Sequence, residues 1–452
     1  MRAQPTSANG ELRLPCAHGE DAPGTHLPTF ISDQGLYELL CVLIALLLGG
    51  WLLFAVVKLL GRSRPDLGLA TPIAAAFGLR VGVALTLGQL SVAQQLRGGD
   101  ELTFLARAGD VAVLPLAGRD SLDKLTSELH VFLFSGHMRI FEPAPPENML
   151  RVEMITFAVL GILLLSAAVY ELAGRRAAII AAWILALEPT NVFFSSLLHK
   201  EPLMYLAEGL VAFGGAVLWK RGDLRSLVPI VLGCLLAIAT RPYVGWFLVA
   251  AAAAVVLHAS LVRQRGLRSL TLLATVVLLA AAFVPVAWDE TSDANLQVLQ
   301  ASQDASAANE EANLSLERID YSSREKLFLN APERIYDVVF KPYPWQADNT
   351  SQQLGVLGTL VVLAALILLA QQLIRNRSAI MQRAAPLIYP MLFMLWAYAI
   401  SAGNAGTAFR YRTHVVALAL CLLVVLREQW QQQEVEARGV RMRGLAAPAR
   451  GG

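Results

Sequence analysis

Two adjacent carboxylates, Asp100 and Glu101, follow a long apolar run in the stretch Gly98-Gly99-Asp100-Glu101-Leu102-Thr103-Phe104-Leu105-Ala106. A carboxylate held beside a hydroxyl can remove its proton, which contributes about a hundred- to ten-thousand-fold in rate. Charge at a membrane boundary is tolerated facing water and costly facing lipid. The pair therefore either lines a wet cavity as acid or base, or is the solvated acidic start of a helix. Cations recur further on, in short polar breaks: His199-Lys200-Glu201-Pro202, Arg241-Pro242-Tyr243, Lys341-Pro342-Tyr343-Pro344-Trp345 and Arg410-Tyr411-Arg412. Such cations suit an anionic group on a lipid, since charge-assisted hydrogen bonds to phosphate gain strength where water is partly excluded. A plainer alternative has Arg410 and Arg412 fixing a span at the interface and Lys200 snorkelling.

Other chemistries lack their residues. The chain contains no P-loop, no Gly-x-Ser-x-Gly elbow and no His-Glu-x-x-His, and its seven histidines are scattered. An ATP-driven pump is therefore not expected. Cys16, Cys41, Cys234 and Cys421 share no metal-like spacing and read as small core residues. No cofactor is indicated, although Glu101 leaves a divalent metal open. The net charge of +2, with no basic run interleaved with aromatics, excludes a nucleic-acid surface.

The elements that must position these residues are apolar. Hydrophobic residues make up 56% of the 452 positions and charged ones 16%, which describes an all-α, polytopic integral membrane protein. About eleven runs can span: 36–60, 67–90, 151–170, 177–195, 201–219, 226–240, 243–261, 269–287, 354–374, 385–400 and 413–427. The runs on either side of Arg241-Pro242 are short enough to form a re-entrant hairpin instead. Every second short loop is basic, from Lys58, Arg62 and Arg64 after the first span to Arg427, Arg438, Arg441 and Arg443 after the last. That bias puts the basic loops in the cytoplasm and the two long connections, 97–150 and 288–353, on the extracytoplasmic face.

Within the first connection, helical spacing of Leu122, Leu125, Leu129 and Phe132 predicts one interfacial helix over Ser121–Phe134. Within the second, Gln300–Asn313 has little to bury and is expected to be mobile. Residues 1–35 read as a polar extracytoplasmic tail with no cleaved signal peptide. Residues 36–427 read as the transmembrane domain, and 428–452 as a disordered cytoplasmic tail. Arg80 and Glu208 fall inside spans, where a charge needs a partner, and the two are candidates to pair with each other.

The run Gly99-Asp100-Glu101-x-x-Phe104-Leu105-x-x-Ala108 resembles the first external loop of the GT-C glycosyltransferases, which include the protein-mannosyltransferase-like family 39. The segments from Glu188-Pro189 to Glu201-Pro202, Arg241-Pro242-Tyr243, Phe340 to Trp345, and Gly403 to Arg412 resemble those of membrane proteins from bacterial polysaccharide-biosynthesis loci. The resemblance implies Asp100 or Glu101 as catalytic group and the outer cations as a grip on lipid phosphate. It also implies a polyprenyl-phosphate-linked sugar as donor and a glycan as acceptor, met at the extracytoplasmic face of a bacterial inner membrane. Arg241, Arg410 and Arg412 would hold the phosphate, with Lys200 and Lys341 at the rim, and Glu201 is counted with them among the substrate-binding residues. An O-antigen-type polymerase and a non-enzymatic lipid-linked glycan transporter or scaffold are the alternatives.

Overall fold

The computed structural model describes residues 33–87, 91–141, 144–262, 267–290, 292–308, 320–347, 350–376 and 380–446. It is all-helical among them. The described residues open with α1 (Asp33–Ser63) and α2 (Ala70–Leu87), then the polar helices α3 (Ser91–Ala112) and α4 (Arg119–Ser127) and the more apolar α5 (Leu129–Ile140). The bundle proper follows with α6 (Glu147–Ala173), α7 (Arg175–Leu187), α8 (Pro189–Ser195), α9 (Glu201–Arg221), α10 (Leu227–Thr240) and α11 (Pro242–Val262). It closes with α12 (Leu267–Glu290), α13 (Asp293–Ala308), α14 (Arg324–Phe340), α15 (Thr350–Asn376), α16 (Ile380–Ser401) and α17 (Ala405–Ala446).

Among the described residues nine helices are long and apolar enough to cross a membrane, and α7 with α8, bent by 63°, makes a tenth. The remaining predicted run, 226–240, is the shorter apolar helix α10. The chain is thus an all-α polytopic membrane protein. Its core is α6 against α9, which approach so closely that a Cβ on Gly209 would lie 2.7 Å from the carbonyl oxygen of Gly161. In lipid no hydrophobic drive holds helices together, so backbone contact at small residues supplies the packing. Leu39, Leu43, Leu47, Trp51 and Phe54 of α1 face outward, as lipid-facing side chains do.

Two layers of ion pairs bracket the apolar core. Arg151, in the first turns of α6, pairs with Glu101 at 3.2 Å and with Glu147 at 2.8 Å. Glu171, near the end of the same helix, takes Arg64 at 2.5 Å and Arg221 at 2.7 Å. At roughly 1.5 Å of rise per residue the layers stand about 30 Å apart, one hydrocarbon thickness.

Several local expectations change. Asp100 and Glu101 lie in the middle of α3, not at the start of a loop or a helix. The single helix predicted over Ser121–Phe134 is two, because the backbone breaks at Glu128 (φ −141°, ψ 56°). That carboxylate is drawn to Lys124 at 2.7 Å and Arg107 at 3.0 Å. In the second long connection, 300–308 belongs to α13, and 309–313 lies outside the described residues. The chain beyond Glu428 continues as helix to Ala446, with Gln429 Nε2 donating to the Leu172 carbonyl at 3.0 Å. Residues 1–32 and 447–452 lie outside the described residues.

Arg80 and Glu208 are both buried but do not pair. Arg80 Nε donates to Ser195 Oγ at 2.7 Å and Nη2 to Asn191 Oδ1 at 2.6 Å. It also donates to the carbonyls of Leu185 and Ala186 at 3.1 and 3.2 Å. The chain bends there between α7 and α8, which leaves the last carbonyls of α7 without helical partners. A buried guanidinium, with five donors, satisfies them where water cannot. Glu208 instead meets His414 Nδ1 at 3.5 Å.

Candidate active site

Four charged side chains from four separate segments form one chain of contacts. Arg241 Nη2 meets Glu201 Oε1 at 2.5 Å, Arg410 Nε approaches the same oxygen at 3.2 Å, and Arg410 Nη1 donates to Asp100 Oδ2 at 2.5 Å. Exposure is greatest at its Asp100 end. Glu201 is 0% exposed and Arg241 3%, whereas Arg410 is 15% and Asp100 52%.

Local sequence explains each station. Arg241 precedes Pro242, which disfavours the helical conformation before it. The residue accordingly leaves α10 at φ −146°, ψ 89° and turns its side chain inward. Glu201 opens α9, where Pro202 lacks only an N–H that the first turn does not use. A carboxylate in that turn also complements the helix dipole. Arg410 stands in the second turn of α17, whose start is fixed by Asn404 Oδ1 accepting from the Thr407 N–H at 2.8 Å.

Aromatic groups frame the charges. The Arg241 guanidinium lies 4.4 Å from the centroid of Tyr411, and the Tyr243 hydroxyl donates to the Tyr411 hydroxyl at 3.0 Å. Tyr243 also lines an apolar cavity of about 420 Å³ with Trp246, Phe247, Phe283 and Leu299. A second cavity, of about 630 Å³, adjoins it through shared Phe247 and Phe283 and reaches the exposed Trp288 and Phe328. The two cavities together form an apolar channel from the outer surface of the bundle to Tyr243, one hydroxyl contact from Tyr411.

The surrounding titratable groups are tuned by this setting. Burial resists ionisation of Asp100, yet the charge and hydrogen bond of Arg410 outweigh it and hold the carboxyl below its ordinary value. Burial, then the Arg410 charge, pushes the His199 imidazole down against the pull of Glu201. His199 Nδ1 is 3.7 Å from Glu201 Oε2. Lys200 is lowered by burial and by Arg241; its ammonium sits 3.6 Å from Glu128 and over the Phe104 ring.

Of the residues singled out in the sequence, Asp100, Glu201, Arg241 and Arg410 come together, with Lys200 to one side. Glu101 lies behind them, fully buried, accepting from the Leu198 N–H at 2.7 Å and paired with Arg151. It fastens α3 to the segment that carries His199 and Lys200. Lys341 and Arg412 go elsewhere. Lys341 pairs with Asp337 at 3.0 Å, and Arg412 donates to the carbonyls of Val339, Lys341 and Gly355 at 3.1, 2.9 and 2.7 Å. Arg412 thus pins α14 and α15 onto α17. Among the described residues no group of three or more His, Cys, Asp or Glu is placed to hold a metal ion.

No family model matches the chain, and no curated protein matches it. A solved structure is similar to it. That structure is the archaeal oligosaccharyltransferase AglB from Archaeoglobus fulgidus, in complex with an inhibitory peptide and a dolichol-phosphate. Identity is 14% and the TM-score 0.37; the match covers 78% of this chain and 52% of that one. The chain therefore spans about half the length of that protein.

Residues not singled out in the sequence also belong to the site. Arg151 opens an apolar run, and a cation there could have signalled a buried acid nearby. Tyr243 and Tyr411 stand next to chemistry-bearing residues in sequence, but nothing local marks their hydroxyls as a pair.

Proposed function

We propose that the chain is a membrane glycosyltransferase. It would move a sugar from a polyprenyl-phosphate donor to an extracytoplasmic glycan or lipid-linked acceptor in cell-surface polysaccharide biosynthesis. The observation that carries this reading is the half-exposed Asp100 on Arg410, linked through Glu201 to the buried Arg241, whose ring partner Tyr411 meets the Tyr243 that lines the apolar channel.

Each part has a role. The channel would take the prenyl chain, whose burial contributes in proportion to apolar area. Arg410 and Arg241 would face the phosphate, and one nitrogen of Arg241, Nη1, has no hydrogen-bond partner among the described residues. Asp100 would take the proton of the acceptor hydroxyl as its oxygen attacks the anomeric carbon. The bond from that carbon to the phosphate oxygen breaks, and the phosphate leaves with the electron pair, its growing charge met by the arginines. Glu201 would position both cations without touching substrate, and Lys200 would stand at the rim.

The test is transfer itself. Purified protein in nanodiscs, given a radiolabelled polyprenyl-phosphate sugar and a lipid-linked glycan, should move label into the acceptor. A single added sugar supports the transferase and a ladder the polymerase. No label in any acceptor, with donor intact, would remove the enzymatic reading.

A further inference from the structure

We propose, resting on the glycosyl-transfer reading, that Asp100 is a displaceable counter-ion: donor phosphate replaces it on Arg410, and that exchange frees the carboxylate to act as base. In the free protein the contacts run Arg241, Glu201, Arg410, Asp100, from buried to exposed. The inner three are locked, because Oε1 of Glu201 faces both guanidinium groups. Asp100 is the outermost link and the most exposed. An anion arriving from solvent meets Asp100 first and competes for Nη1 of Arg410.

The charges make the exchange balanced. Two arginines face two carboxylates, so the resting cluster is neutral. A sugar joined to a prenyl chain through phosphate is a phosphodiester with one negative charge, and it substitutes for Asp100 one for one. Release from Arg410 removes the contact that keeps Asp100 weakly basic. The titratable groups facing Asp100 are then Glu201, which favours proton uptake, and His199, whose imidazole burial and Arg410 push toward its neutral form.

During transfer the acceptor proton moves to Asp100, which becomes a neutral acid as the leaving phosphate becomes a monoester and gains one charge. The total at the site is unchanged. Loss of that proton to water, with departure of the prenyl phosphate, returns Asp100 to Arg410. A base that is unlocked only by donor keeps water from being activated in an empty site.

The exchange predicts that removing the Asp100 charge strengthens phosphodiester binding while it abolishes transfer. The probe is dodecyl methyl phosphate, titrated calorimetrically into the full-length protein in nanodiscs. Asp100→Asn and Asp100→Ser, at a half-exposed position, should each bind it about tenfold more tightly than wild type, the scale of one lost charge-assisted competitor; Arg410→Gln should bind it at least as much more weakly. If the Asp100 variants bind equally or more weakly while Arg410→Gln still loses affinity, displacement is wrong and the transferase reading stands. If Arg410→Gln and both Asp100 variants all bind the probe like wild type, no phosphate sits on Arg410, and displacement and that reading fall together.

Discussion

Arg241 and Arg410 converge on one oxygen, Oε1 of Glu201, at 2.5 and 3.2 Å. Two cations this close repel, and the carboxylate between them offsets that repulsion. Glu201→Gln keeps the shape and removes the charge, leaving two guanidinium groups against a neutral amide. Breaking a buried pair on one side typically destabilises by about 3–5 kcal/mol. Thermal unfolding in detergent should show a loss of that order for Glu201→Gln. Arg410→Gln leaves the Arg241–Glu201 pair whole and should lose less; equal losses would mean that Glu201 does not neutralise both.

Asp100 and Glu101 are neighbours in sequence in different surroundings, one half-exposed on Arg410 and one buried on Arg151, and the proposed function gives only the first a catalytic role. Asp100→Asn should unfold at the wild-type temperature and lower kcat by about a hundred- to ten-thousand-fold. Glu101→Gln should do the reverse. It strips a buried partner from Arg151, which keeps Glu147, so the loss in stability is about 1–3 kcal/mol. Its kcat per folded molecule should stay near wild type. A Glu101→Gln protein that is fully stable and inactive would move the base from Asp100 to Glu101.

The spans were legible because each is a local property of composition, and among the described residues every predicted apolar run forms a helix or a bent helical pair. The gathering of Asp100, Glu201, Arg241 and Arg410 was legible only as a shared membrane depth, since nothing in a sequence states which distant residues touch. Helical geometry could have separated Arg410 from Arg412. Residues two apart differ by about 200° around an α-helix, so one pocket on one side of α17 cannot hold both. Arg80 was read as wanting an anion, but carbonyls freed by a broken helix satisfy a guanidinium equally well. Even spacing over Ser121–Phe134 hid the break at Glu128, because three cations, one of them Lys200, pull on that side chain.

The crossing of α6 and α9 sets the frame, because Arg151 and Glu201 begin these two helices. A Cβ on Gly209 would press on the Gly161 carbonyl, and one on Gly161 on the backbone of Tyr205. Backbone cannot swing aside as a side chain can, so Gly209→Ala and Gly161→Ala should each destabilise by about 1–3 kcal/mol. Gly78→Ala is the control, since a Cβ there meets nothing within 4 Å. In an exposed helix interior that change should be neutral or stabilising. Matching unfolding temperatures for Gly209→Ala and Gly78→Ala would refute the close crossing.

Acid should loosen the site before it titrates Asp100. His130 is buried between Phe104 and Phe134, and among the described residues neither of its ring nitrogens has a hydrogen-bond partner. Burial, and then the Lys200 and Arg241 charges, hold it well below its ordinary value, and burial also lowers His199. A histidine depressed in the folded state binds more protons when unfolded. Its contribution is therefore fully present above the unfolded value, about 6.5, and is lost as pH falls below it. Each group steepens that loss by up to about 1.4 kcal/mol per pH unit. Unfolding temperature measured from pH 8 to pH 5 should fall across the acid half of that range. His130→Phe, which fits among the same aromatic rings, should flatten the fall, and an unchanged slope would show that His130 is not buried in its neutral form.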